Sequence, residues 1–153
     1  MVPFTAIAEM NVGVIDTAYI MAKLPQRDAV AEKLKTEFTG RENELKRLGE
    51  TIEKERNDFV KNSTTMTETV ATNMKRDIQK KMSDFQLKQN AYKEDFARRS
   101  REENMKLGNL VKNAVDAVAK RGGYNMLIDR QAVPYIDPSI PELTQQILTE
   151  LSK

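Results

Sequence analysis

The sequence predicts an α+β protein in which a long antiparallel coiled-coil helical hairpin projects from a small β-sheet oligomerisation body with a C-terminal helix. Three observations predict this. Between about residues 31 and 118 apolar side chains recur at steps of three and four, broken once by the polar run NSTTMTE. Short strand-like runs stand at the two ends, VGVI near the start and YNMLID with AVPYI after a Gly-Gly pair. The composition, 31% charged and 39% hydrophobic with a mean hydropathy of −0.62, is too polar for a compact globule of 153 residues but suits long exposed helices.

Each element has its own signal. Residues 1–9, MVPFTAIAE, are mildly apolar and hold Ala6-Ile7-Ala8, a small-x-small pattern of the kind a signal peptidase reads. A basic start and a full apolar core are missing, so a signal-peptide remnant and a simple tail both stay open. Val12, Val14 and Ile15 form a buried strand. Asp16 or Thr17 caps a short helix through Tyr19, Ile20 and Leu24, and Pro25 sits at the first turn of the next. That helix carries Ala31, Leu34, Phe38, Leu45, Leu48, Ile52 and Phe59, a 3.5-residue period with Arg41 and Glu55 filling two gaps.

Thr65 and Glu68 form a capping box that opens the second long helix. Its apolar series is Ala71, Met74, Ile78, Met82, Phe85, Tyr92 and Phe96, then Leu107, Leu110, Ala114 and Val118. Gly122 and Gly123 end it, one in the left-handed conformation. Two strands follow. Pro134 cannot donate to a ladder, so its strand is expected at an edge or with a bulge. A second capping box, Ser139 to Glu142, opens a helix bearing Ile140, Leu143, Ile147, Leu148 and Leu151.

The domain reading is a discontinuous body, residues 1–24 and 123–153, and an arm, 25–122, with its tip near 62–67. The hairpin returns the chain to its start, so the late strands lie beside the early one. So small a sheet has open edges, and assembly with copies of itself would close them.

Composition also excludes functions. The chain has no Cys and no His, which removes thiol nucleophiles, most zinc sites and the usual neutral-pH acid–base group. No carboxylate pair stands out, and neither an enzyme, a cofactor nor a metal is expected. No Gly-rich phosphate loop ending in Gly-Lys-Ser/Thr is present, so no ATP is expected. The absence of Cys is compatible with an oxidising compartment. Net charge is only +2, and ARRSRE is short and interrupted by carboxylates, so nucleic acid is not an expected partner.

The stretches VGVIDTAYI, EFTGRENELKRL, FARRSREE and LIDRQAVPYID, in that order, resemble the Skp (OmpH-like) periplasmic chaperone family across about residues 12–151. The resemblance implies an ATP-independent holdase of the periplasm. It implies a homotrimer whose arms enclose unfolded outer-membrane β-barrel proteins and prevent their aggregation. The tip from Asn62 to Thr72, and Pro134 within a strand, depart from the family pattern. The alternatives are a structural coiled-coil oligomer or a prefoldin-like general holdase. The second has the opposite order of strands and helices.

Three groups of candidate site residues follow. Basic residues outnumber acidic ones by roughly two to one between Lys75 and Lys112. Lys75, Arg76, Lys80, Lys81, Lys88 and Lys93 are therefore candidates for an electrostatic, client-attracting arm. The plainer reading is a solvated helix face with i,i+4 pairs such as Glu94–Arg98. Lys88, Arg98 and Arg99 match positions that the family resemblance associates with lipopolysaccharide, or an anionic membrane surface. The plainer reading pairs these arginines with Glu102 or Glu103. Gly40 and Gly49 are candidate hinges, since each weakens a helix interior by about 1 kcal/mol relative to Ala.

Overall fold

The computed structural model describes residues 10–153. The Ala6-Ile7-Ala8 pattern lies outside them. Chain compactness divides the protein into two units: the residues up to Val30 together with Glu103–Lys153, and Ala31–Glu102.

The first unit is built on strand β1 (Val12–Ile15), paired in parallel with β2 (Met126–Asp129) so that Val12 faces Met126 and Ile15 faces Asp129. The expected return of the late strand to the early one is thus observed. The second late strand is not. After β2 the chain makes a turn of 3-10 helix, Arg130–Ala132, whose entry is capped by the Asp129 carboxylate accepting from the Gln131 N–H, 3.0 Å. The AVPYI run forms no strand, since this turn leads the chain off the ladder and Pro134 brings no N–H with which to rejoin it.

The other edge of β1 is occupied instead by Pro141–Leu143. The Val14 N–H donates to the Pro141 carbonyl and the Leu143 N–H to the Val14 carbonyl, each 2.8 Å. This also corrects the second capping box. Helix α4 is Thr144–Leu151, and Ser139 bonds Asp137 rather than the start of a helix. Backbone pairing to an otherwise open strand edge outcompetes a local cap, because unpaired strand groups are costly once buried. Glu142 accepts from the Thr144 N–H, and the Thr144 hydroxyl accepts from the Asp16 N–H at 2.8 Å, joining α4 to the end of β1.

Helix α1 (Thr17–Lys23) starts where expected, with the Asp16 carboxylate accepting from the Tyr19 N–H at 2.9 Å. The core of this unit gathers Ile15, Ile20, Leu24, Leu143, Ile147 and Leu151 with Leu107, Val111, Ala114 and Val118 of the second long helix. Those four step by four, three and four, one buried stripe of a helix. Leu110, expected in that stripe, is exposed; Val111 takes its place.

The two long helices are α2 (Gln26–Asn62) and α3 (Glu68–Gly122). α3 ends in a Schellman motif: the Tyr124 N–H donates to the Ala119 carbonyl, 2.9 Å, the Gly123 N–H to Lys120, 3.3 Å, and Gly123 has φ +67°. At the other end Thr67, not Thr65, sits before the first turn, its hydroxyl accepting from the Val70 N–H at 3.4 Å. Thr65 instead closes α2, its N–H and hydroxyl both donating to the Asn62 carbonyl. Neither Gly40 nor Gly49 interrupts α2, whose helical backbone is continuous through both.

Candidate functional site

Within the second unit α2 and α3 pack antiparallel, and the two sides of their seam differ. Along α2, Glu37, Glu44 and Glu55 lie on one side, and along α3 so do Lys81, Lys88, Asp95 and Arg99. Four ion pairs cross the hairpin there. Arg99 donates twice to the Glu37 carboxylate, 2.9 and 3.1 Å; Arg41 donates to Asp95, 2.8 Å; Lys88 donates to Glu44, 2.5 Å; and Lys81 pairs with Glu55. Arg41 and Glu55 are the residues that fill the gaps in the apolar series. The gaps are thus positions where ionic contacts replace apolar ones.

These contacts shift the ionisable groups as expected. The hydrogen bond from Lys88 holds the Glu44 carboxyl below its ordinary range, and the bond to Glu44, reinforced by Asp84, raises Lys88. Arg41, then Arg98, lowers Asp95. Arg99, then Arg98, lowers Glu102.

The opposite side of the seam is apolar and open. Lys35, Glu42, Gly49 and Arg56, spaced by seven residues on α2, all border grooves there. One groove, about 580 Å³, runs over Gly49, Ile52 and Phe85 between Val60 and Met82. The missing side chain at Gly49 opens it: a Cβ there would stand 3.6 Å from the Phe85 ring. A second, about 380 Å³, runs over Leu34, Phe38, Tyr92 and Phe96. Phe38 meets Tyr92 and Phe96 edge-on, with centroids 5.6 and 5.2 Å apart, and the Arg41 guanidinium lies 5.7 Å from the Phe38 ring centre.

Met82 and Phe96, read from the sequence as seam residues, are 45% and 39% exposed beside these grooves. The seam slots next to them hold Lys81 and Asp95, whose charges are satisfied across the hairpin. A search for apolar periodicity skips charged slots and shifts to the nearest apolar neighbour. The complementary charges at seven-residue spacing were the signal available.

The structure divides the candidate cations. Lys81 and Lys88 belong to the crossing ion pairs, whereas no ion pair among the described residues involves Lys75, Arg76, Lys80 or Lys93, all exposed. Arg98 bonds Asp95 and Glu102, not Glu94, and Arg99 bonds Glu37 and Glu102 while its side chain is only 15% exposed. Lys88, Arg98 and Arg99 therefore all carry intramolecular carboxylate partners. Among the described residues no acidic cluster is suited to hold a metal ion, and no helix is long and apolar enough to cross a membrane.

Residues 11–151 match the family described as outer membrane protein (OmpH-like). The chain belongs to the OmpH-like family. It is 30% identical over 141 residues to the chaperone protein Skp of Yersinia enterocolitica, covering 92% of this chain and 85% of that protein. It is 32% identical over 125 residues to chaperone protein Skp of Photorhabdus luminescens, covering 82% and 76%. A crystal structure described as an OmpH-like outer membrane chaperone, from Caulobacter crescentus CB15, shares the fold: the TM-score is 0.79 over 99% of this chain and 89% of that one, at 16% identity.

Proposed function

We propose that this OmpH-like protein is an ATP-independent holdase chaperone of the periplasm that keeps unfolded outer-membrane β-barrel proteins from aggregating. The observation that carries the reading is the open side of the hairpin. There Val60, Met82 and Phe96 stand uncovered beside grooves floored by Ile52, Phe85, Phe38 and Tyr92. Such a surface offers many shallow apolar contacts between charged rims. Each is weak, so a client can be held by their sum and released without nucleotide.

In this reading the chain acts as a homotrimer assembled through the strand-bearing body, residues 1–24 and 123–153, with 25–122 as the client-enclosing arm. The unpaired cations Lys75, Arg76, Lys80 and Lys93 supply the attraction for acidic segments, over roughly 8–10 Å at moderate salt. Lys81 and Lys88 contribute less, because carboxylates on the hairpin neutralise them. Lipopolysaccharide, or an anionic membrane surface, is a second proposed partner at Lys88, Arg98 and Arg99. It would have to displace the carboxylates these groups already hold. Unchanged lipopolysaccharide binding after charge reversal at Arg98 and Arg99 removes that site.

The test is light scattering after diluting a urea-unfolded outer-membrane β-barrel protein into nucleotide-free buffer. Scattering should fall to a floor near one assembled oligomer per client, and the variant Met82→Glu with Phe96→Glu should lose much of the effect. Undiminished scattering with a verified folded oligomer would overturn the holdase reading and leave a structural coiled-coil assembly. Analytical ultracentrifugation decides the copy number.

A further inference from the structure

We infer that the helical hairpin is closed along one edge by an ionic latch, Glu37–Arg99, Arg41–Asp95, Glu44–Lys88 and Glu55–Lys81, whose release lets α2 and α3 part. This goes beyond the chaperone reading and stands without it. Three features of the hairpin lead to it. The pairs cross between helices rather than running along one, so each ties α2 to α3. All lie on the side away from the grooves, where no ion pair among the described residues makes the equivalent tie. At Arg41 and Glu55 the latch takes seam positions that apolar side chains would otherwise fill, so charge shares the seam with the Phe38, Tyr92 and Ile52 packing beside it.

The groups facing each carboxylate set the response. Glu44 faces Lys88 from α3 and Arg41 on its own helix; Asp95 faces Arg41 from α2 and Arg98 on its own. Glu55 faces Lys81, and Glu37 faces Arg99. When Glu44 and Asp95 take up protons, the attraction that tied them to Lys88 and Arg41 is lost, and the like charges of the edge are left facing one another. Attraction is thereby converted to repulsion. The carboxyls of Glu44 and Asp95 are held low, so this requires pH below their ordinary values of about 4. Concentrated salt weakens the same contacts at neutral pH, because most of these side chains are partly open to solvent.

Spin labels test the latch. The chain contains no Cys, so Thr51→Cys and Ser83→Cys, at exposed neutral positions on the two helices, can be labelled cleanly. Mixing labelled subunits into an excess of unlabelled protein keeps the measured distance within one chain. At pH 7.5 and 50 mM salt the distance distribution should be narrow. It should broaden toward longer distances in 1 M salt and at pH 3.5, and in the variant Glu44→Lys at pH 7.5. Each pair lost should raise the open population about two- to five-fold, the effect expected of exposed ion pairs. The double variant Glu44→Lys with Lys88→Glu should return the narrow distribution, which general damage to the helix would not do. An unchanged distribution in Glu44→Lys and in 1 M salt, with helicity retained by circular dichroism, overturns the latch. If acid unfolds the helices, the salt series and the charge swap at pH 7.5 still decide it.

Discussion

Replacing Gly40 and Gly49 by Ala should stabilise the protein. Both glycines lie inside continuous α2. A Cβ at Gly40 meets nothing within 4 Å, and one at Gly49 meets the Phe85 ring at 3.6 Å, an ordinary contact. Steric cost is therefore absent, and what remains is helix propensity, about 1 kcal/mol per site in favour of Ala. The double variant should gain about 2 kcal/mol, which for a chain of this length raises Tm by roughly 4–8 °C. The contrast is Gly13→Ala. Its methyl would fall 2.8 Å from the Leu143 Cδ1 and 2.9 Å from the Leu127 Cδ2, so overpacking should cost about 1–3 kcal/mol. Urea unfolding at fixed protein concentration, needed because assembly contributes to apparent stability, measures all three. A lower midpoint for Gly40→Ala would refute the reasoning, since it would mean that the glycine is required for a conformation other than straight helix. The double variant, Gly40→Ala with Gly49→Ala, also tests the proposed hinge. A stabilised protein that still accepts clients over the full size range would show that neither glycine acts as one.

Three further outcomes are expected. Ile147, with 0% exposure at the centre of the body's core, should cost about 2–5 kcal/mol when changed to Ala, read as a lower urea midpoint. Ser139→Ala should leave the amide exchange of α4 unchanged, whereas Glu142→Ala, which removes the acceptor for the Thr144 N–H, should accelerate exchange in its first turn. Glu44, Asp95 and Glu102 have folded-state pKa values below their ordinary ones, so their contribution is present above about pH 4–5 and lost as pH falls through the lowered values. The urea midpoint should therefore be nearly flat from pH 8 to 5 and fall below pH 4; a fall between pH 7 and 5 would contradict the assignment.

What was legible in the sequence and what was not divide along a physical line. β1, the Asp16 cap and the Gly122–Gly123 stop rest on local chemistry, and all are observed. The elements that moved were decided by distant partners. The Ser139 capping box competed with the free edge of β1, a hundred residues and more away in sequence, and the edge won. Thr65 carried the right pattern for a cap, but α2 needed its last carbonyl satisfied and took it. In the hairpin, neither Met82 nor Lys81 alone announces which of them faces α2. Only the matching of Glu55 with Lys81 and Arg41 with Asp95 across the turn assigns the register, and pairing between helices is invisible to a search along one.

The same pairing bears on how a chain so rich in charge can expose apolar surface. A hairpin closed only by apolar residues would place its large side chains in the seam and leave little for anything else. Here ionic contacts take over part of the seam, and Met82 and Phe96 are released to the open side. Exposed apolar surface ordinarily invites self-association. On this hairpin it is divided between two shallow grooves, with Lys35, Glu42, Glu53 and Arg56 on their rims. Rigid copies of the protein would have to desolvate those charges to bring two such surfaces together, a cost that few contacts would repay. An unfolded chain can lay single side chains into a groove and leave the rim hydrated. The distribution of charge that closes the hairpin is thus also what would favour a flexible client over a second folded copy at that surface.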